Sequence, residues 1–525
     1  MKDVNGQKSY YECLNQINND ELFEGLLGYG MFAEKIPNFL SSVKFFEFCR
    51  DYDPEFDQKT FKYIKYENMR NINIPRILAI PNPFAYYKQC KILRESFWEL
   101  KEYFREKTKK DKYKISRIHI RKIKDKNELL DIKNYLDKLF DMNYKDYHID
   151  GNPEQEIFIG KKYKVKADIS TCFPSIYTHA IPWALIGKNN AKGNRNSKKE
   201  YYNMIDSSAQ WLNNNETHGI LIGPHSSNLV SEIILIAVDA KIKDKYQYIR
   251  HIDDYSCYVE TREKADKFLL DLSQSLKEFG LLLNHKKTEI IELPNSFEED
   301  WARKLKIYKI EEWEGKIKYS GIAPFMDLAL DLMKENKNNA SILTYAIKML
   351  LKKDMTPNAI KYFIDIVHHL VLIYSYLIFL LEQVFDKFID NKNIGVEKIQ
   401  EISLNIFKLG QENKNYEAMS YAIYFALKYR FKLMHICVSK EATKKEDCTL
   451  MLLCYLYDKR HKRNCSKYIQ MAENFIDDTN NIDDEFWLFS YEVLLHEKPQ
   501  SLNKCKDWKK LKEKKISFLK DGYEN

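Results

Sequence analysis

Hydrophobic and polar positions repeat along this chain with two periods, and the chain divides where one gives way to the other. Up to about residue 325, stretches of period two are interleaved with stretches spaced three and four apart, the signatures of half-buried strands and amphipathic helices. "PNPFAYYKQCKILRESFWELKEYFREKTKK" (81–110) predicts a helix entered through two prolines. "YKISRIHIRKI" (113–123) alternates apolar and basic residues. It predicts a β-ribbon with Ile115, Ile118, Ile120 and Ile123 inward and cations outward, bulged where the period slips at Ser116 and Arg117. "YKVKADIS" (163–170) reads as a strand, "NLVSEIILIAVDAKI" (228–242) as a helix, and "YQYIRHI" with "YSCYVE" as a hairpin about Asp253 and Asp254. "REKADKFLLDLSQSLKEFG" (262–280) is an amphipathic helix stopped by Gly280, and "LLLNHKKTEIIEL" (281–293) returns as a strand. This order is an α+β layer with a helix over one sheet face. From 326 to 525 amphipathic segments of 15 to 20 residues alternate with polar turns such as "KENKNN", "KKDMTPN" and "DNKNIG". They predict an all-α, HEAT-like array without a repeat consensus. Two domains follow, 1–325 and 326–525.

Composition narrows the class. Hydrophobic residues are 44% and charged residues 30% of the 525, which excludes a disordered chain. Only 16 glycines and 13 prolines argue against a β-sandwich, and the 36 tyrosines and 29 phenylalanines supply core with some rings left to stack on bases. A net charge of +8 is modest, but its distribution is uneven. Residues 106–126 hold ten Lys/Arg against three acids, 188–199 five against none, and 504–515 seven against two. One such run is a solvated face; two beside an active site suit a polyanionic substrate. The ten cysteines form no CxxC pair, and Cys448, Cys454, His461 and Cys465 match no zinc spacing, so buried thiols in a reducing compartment are expected. The most apolar run, 366–381, is short for a bilayer and carries His368 and His369, so it predicts a buried helix and no membrane partner.

Candidate chemistry lies in the first domain. Asp253-Asp254 between apolar stretches is either a polar turn or a metal site, and the pair alone does not decide. Asp168 ends an apolar strand, where a carboxylate is either exposed at the sheet edge or matched to a cation. If the strand and the hairpin are neighbours, three carboxylates converge with room for two divalent cations. Oxygen ligands at that charge density select Mg²⁺ or Mn²⁺, the arrangement nucleotidyl transfer requires.

The order of these motifs resembles motifs A to D of reverse transcriptases over about residues 75–325. More narrowly, "IPNPFAYYKQCKIL" (80–93), "KADISTCFPSIYTHAIPWALIGKNNAK" (166–192), "GILIGPHSSNLVSEIIL" (219–235) and "RHIDDY" (250–255) are similar to the bacterial abortive-infection and defence-associated reverse transcriptases, relatives of retron and group II intron enzymes. The resemblance implies a fingers and palm fold followed by the helical domain. It implies Asp168, Asp253 and Asp254 as metal ligands, the Ile169 carbonyl completing one shell, and Phe173 as a gate against a 2′-hydroxyl. It also implies Gly223 admitting the nucleotide close to the backbone, and Lys287, with Lys286 as its rival, protonating pyrophosphate. Arg117 and Arg121 on the basic ribbon become triphosphate ligands, with simple outward cations as the alternative.

Two positions depart from the retroviral pattern: His251 stands where an aromatic precedes the DD, and Ile222 where a Gln precedes the motif B glycine. Both normally seat primer and templating base, and both substitutions are usual in the abortive-infection group. That group implies an untemplated DNA polymerase consuming dNTPs, primed from a protein hydroxyl. Its single-stranded DNA product would be attached to the protein, a homo-oligomer of the bacterial cytoplasm acting in antiphage defence. A templated RNA-directed DNA polymerase and a non-catalytic phage-sensing scaffold are the alternatives. A cyclic-dinucleotide synthase is disfavoured, since no GGDEF-like stretch is present.

Overall fold

A computed structural model describes residues 10–57, 61–71, 74–108, 121–122, 140–141, 154–295, 299–389 and 394–523. The chain forms two compact units: Met1–Ala33, Ser41–Ile64 and Ala79–Asn295 in the first, Glu34–Leu40, Lys65–Leu78 and Ser296–Asn525 in the second. The polar turns of the sequence begin the helical region at 326, but the units divide at 295. Helix Asp300–Ile307 packs on Tyr319–Glu335 and Ala340–Leu351, and so joins the helical unit.

Strands β1 (Tyr63–Asn71) and β2 (Ile74–Pro81) pair as a hairpin. Next come α1 (Pro83–Glu95), whose N-cap Asn82 accepts the Phe84 N–H, and α2 (Phe97–Thr108). One predicted helix is thus two, parted at Ser96. Of the predicted ribbon 113–123, only Arg121 and Lys122 are described. They form β3 (Arg121–Lys122), antiparallel to β4 (Phe140–Asp141). Arg117 lies outside the described residues.

The first unit is centred on a four-stranded antiparallel sheet in the order β6-β7-β5-β8, from β5 (Tyr163–Asp168), β6 (Gln247–His251), β7 (Asp254–Val259) and β8 (Glu289–Glu292). Helix α3 (Tyr201–Trp211) precedes α4 (His225–Ile242), and α5 (Arg262–Lys277) follows the β6–β7 hairpin. Side chains alternate across a strand, so Tyr248 and Arg250 point one way and Ile249 the other. Tyr248 and Arg250 meet α4, while Ile249 packs with Ile157 and Tyr258. Val165 and Ala167 of β5 stand opposite Cys257 and Tyr255 on the helix-covered face, which leaves Lys164, Lys166 and Asp168 on the other. The predicted strand 281–293 is shorter in the structure. Its first part turns around Asn284, whose carbonyl accepts from Lys287 N and Thr288 Oγ1, and only Glu289–Glu292 pairs in the sheet.

The second unit is almost wholly helical, each helix leaning on the next. Val396–Asn413 packs on Tyr416–Lys428, that on Cys448–Arg460, and that on Trp487–Glu497. The apolar run 366–381 is split between helix Pro357–Ile373 and a 3-10 turn at Ser375–Leu380, with Leu377, Ile378 and Leu380 buried. No described helix is long and apolar enough to cross a membrane. Buried Glu417 accepts from Asn68 Nδ2 at 2.6 Å and from Met69 N at 2.7 Å, so one carboxylate tethers the hairpin segment to this unit. Burial pushes its carboxyl up to about 7, against the pull of those two donors and of Lys35. The folded state therefore holds a proton that the unfolded chain releases near 4.5, and stability falls as pH rises from about 4.5 to 7. Glu417→Gln carries no such titration. Its melting temperature relative to wild type is expected to rise between pH 5 and pH 8, by an amount worth on the order of 3 kcal/mol.

Candidate active site

The site is built at the end of β5 and the tip of the β6–β7 hairpin. The β5–β7 register places Asp168 directly opposite Asp254, so the two carboxylates leave the sheet on the same face. Ile252 takes a left-handed φ of 53°, which lets the chain reverse between His251 and Asp254. Asp253 lies in that turn, and its carbonyl accepts from the N–H of buried Ile169 at 3.1 Å, tying the turn to the chain leaving β5.

Asp168 is buried and fully engaged: Asn284 Nδ2 donates to its Oδ1 at 2.9 Å and Lys287 Nζ to its Oδ2 at 2.7 Å. This is the matched cation that a strand-end carboxylate requires. Lys287 reaches it because Asn284 N also bonds the Asp168 carbonyl, at 2.7 Å, pinning the turn. Lys286 instead gives its backbone N–H to Asn284 Oδ1 and extends to solvent. The carboxyl of Asp254 is pushed up to about 6, first by loss of water, then by the charge of Asp253 and a hydrogen bond with Asp168; Lys287 opposes this. Three carboxylates with one ammonium are short of positive charge. Among the described residues no group of three His, Cys, Asp or Glu side chains stands ready-made around a metal, since Asp168 is turned to Asn284 and Lys287. The donor set is all oxygen and its mutual repulsion is what a divalent cation relieves, so these residues fit Mg²⁺ or Mn²⁺.

Phe173 is half-buried in the short helix Cys172–Ser175, five residues past Asp168, and its carbonyl accepts from Ile220 N at 3.0 Å. Gly223 has φ 130°, and a Cβ there would lie 3.1 Å from the Ala79 carbonyl and 3.2 Å from Ala33 Cβ. Ile222 O accepts from Ala79 N at 2.8 Å, so the bend that Gly223 permits is packed against the end of β2. Of the two predicted phosphate ligands, only the backbone of Arg121 is described, opposite Asp141.

Beneath the turn lies a group the motifs did not single out. Arg250 has no exposed surface, and it donates to both oxygens of Glu232 at 3.1 and 2.8 Å and to Asp239 Oδ2 at 2.7 Å. It also donates to the Ile252 carbonyl at 2.9 Å, which lies within the turn carrying the two aspartates. Tyr248 OH completes Asp239 at 2.9 Å. Glu232 and Asp239 are seven apart, two turns on one face of α4. The signal was present in the sequence, an Arg inside "YIRHI" and two acids inside the apolar "SEIILIAVD", each costly to bury without a partner.

With this geometry in hand, residues 109–323 match the reverse transcriptase (RNA-dependent DNA polymerase) family model. The stretch that carries Asp168, Gly223, Asp253, Asp254 and Lys287 is therefore a reverse transcriptase domain, a nucleotidyltransferase of the polymerase kind. No curated protein matches the chain. Among solved structures, apo telomerase from Candida tropicalis truncated from its C-terminal domain aligns at 14% identity, TM-score 0.25, over 48% of this chain and 55% of that one. The chain thus spans little more than half of that telomerase. The apo telomerase from the same organism aligns at 11% identity, TM-score 0.28, over 76% and 75%. Superpositions this loose bear on neither mechanism nor substrate.

Proposed function

We propose that this chain is a DNA polymerase of the defence-associated reverse transcriptase type, which joins dNTPs without a template onto a hydroxyl of the protein itself. The observation that carries the polymerase reading is the cross-strand pair Asp168 and Asp254 with Asp253 in the adjoining turn, inside a reverse transcriptase domain. The untemplated, protein-primed reading is supported by His251 and Ile222, which replace the residues that seat primer and template in retroviral enzymes.

Asp168, Asp253, Asp254 and the main-chain carbonyl of Ile169 would hold Mg²⁺ or Mn²⁺. A bound divalent ion lowers the pKa of the attacking hydroxyl and neutralises charge growing on the phosphoryl oxygens. Asn284 and Lys287 hold the Asp168 carboxylate in place until then. Lys287, more than half exposed, is the cation placed to swing to the departing pyrophosphate and give it a proton. Phe173 excludes a 2′-hydroxyl, and Arg117 and Arg121 meet the triphosphate. The helical unit supports assembly into a homo-oligomer in a bacterial cytoplasm, in antiphage abortive infection.

Purified protein incubated with labelled dNTPs, Mg²⁺ and no nucleic acid is expected to acquire label that survives denaturation and is released by protease. Label that enters only an annealed primer on an RNA strand would establish the templated alternative instead.

A further inference from the structure

Behind the catalytic strand the chain builds a second feature, independent of the carboxylates. Residues 173–178, running out of the site, pair with 217–220: Ile220 N bonds Phe173 O, Gly219 N bonds Ile176 O, and Thr178 N bonds Thr217 O. This pairing gathers an aromatic group around Tyr177. His179 lies edge-on at 4.9 Å, Trp183 edge-on at 5.5 Å, and His218 at 5.2 Å with an interplanar angle of 35°. Tyr177, His179 and Trp183 are half-buried and His218 is exposed, so the group is a surface platform rather than core.

The basic run 188–199 follows directly. Lys188 lies over the Trp183 ring at 4.1 Å. Lys188, Lys192, Arg195, Lys198 and Lys199 are all exposed, and none forms an ion pair among the described residues. Several other cations of the same unit are paired: Lys161 and Lys264 with Glu260, Lys166 with Glu289, Lys241 with Glu278 and Arg262 with Asp266. The loop is held, since Asn203 Nδ2 on α3 donates to the carbonyls of Asn194 and Ser197 at 2.9 and 3.1 Å. Exposed Glu200 and Glu216 border the area. Asp206, which bonds the platform's His179, is buried and satisfied by His179 Nδ1 and Gln210 Nε2. Five cations without an ion pair, two on helix Lys188–Gly193 and three on the turn that follows it, beside a ring cluster, match the two recognisable parts of a nucleic-acid strand with unpaired bases, its phosphates and its π-faces.

We propose that the Tyr177/Trp183/His218 platform and the basic segment 188–199 form a binding surface for single-stranded DNA, the strand leaving the catalytic site. Tyr177 lies nine positions after Asp168, which bounds their distance at about 30 Å, within reach of a short oligonucleotide. The assignment of that strand as product rests on the polymerase reading above; the binding itself does not.

The test uses full-length protein, fluorescent oligo-dT and anisotropy in EDTA without dNTPs, so that no synthesis enters. The variant Lys192→Glu/Arg195→Glu/Lys198→Glu/Lys199→Glu, all exposed, at the end of helix Lys188–Gly193 and on the turn after it, is expected to bind at least tenfold more weakly. Its slope of log affinity against log salt should be shallower by about 3. Trp183→Leu, with an unchanged melting temperature, is expected to weaken binding about tenfold at the wild-type slope. Wild-type affinity and slope in the charge variant would overturn the proposal. So would equal affinity for the matching duplex, or binding of oligo-rU but not oligo-dT. A wild type that never incorporates label but loses oligo-dT binding in the charge variant would remove the polymerase reading and leave this surface standing.

Discussion

Asp254→Asn is expected to abolish nucleotide incorporation, by about 10³-fold or more, while leaving the fold as stable as wild type or more so. The two effects have one cause. Asp254 stands across the sheet from Asp168 and next to Asp253, and its carboxyl is driven up to about 6 by lost hydration and by these two neighbours. Its charge therefore works against the folded state, and a neutral amide of the same shape removes that conflict. The same charge is what a divalent cation would be held by, and losing a metal clamp forfeits several kcal/mol of transition-state stabilisation. Incorporation of labelled dNTP together with a thermal melt checks both halves. Under the proposed antiphage role, a phenotype that survives Asp254→Asn would favour the scaffold reading over catalysis.

Arg250→Met is expected to be among the most destabilising single substitutions in the first unit, at about 3–5 kcal/mol, although Arg250 reaches no solvent and its motif assigned it no role. The loss is not that of one salt bridge. Removing the guanidinium leaves Glu232 and Asp239 buried without their cation, and the carboxyl of Asp239 is already pushed up by its burial. Arg250→Lys separates structure from positioning. It keeps the charge but cannot span Glu232, Asp239 and the Ile252 carbonyl at once. The variant is expected to fold, with the turn bearing Asp253 and Asp254 less constrained. The concentration of Mg²⁺ needed for half-maximal incorporation should then rise several-fold with less change at saturating metal. Chemical unfolding measures the first effect and a metal titration the second. An unchanged metal dependence in Arg250→Lys would leave Arg250 a purely structural residue.

Much of this was legible before any coordinates. The period-two stretches around Asp168 and around Asp253-Asp254, with a long apolar segment between them, are local patterns, and local backbone sterics turn them into strands and a helix. The order in which they occur resembles motifs A to D of reverse transcriptases, and it was that resemblance that implied the three carboxylates meet. The amphipathic rhythm after residue 326 likewise decides helix, since only the 3.6-residue period buries those positions together.

The tertiary structure decided what depends on partners distant in the chain. Lys286 and Lys287 are indistinguishable in "HKKT", and only the turn held by Asn284 on the Asp168 carbonyl brings Lys287 to the carboxylate. Gly223 is expected from its motif to admit a nucleotide close to the backbone; the structure adds that a Cβ there would meet Ala79 and Ala33, which are distant in sequence and brought there by folding. Arg250, Glu232 and Asp239 looked like isolated charges in apolar segments until α4 was laid on the sheet. Burial of a charge is a cost set by what surrounds it in space, and a sequence records only what precedes and follows it.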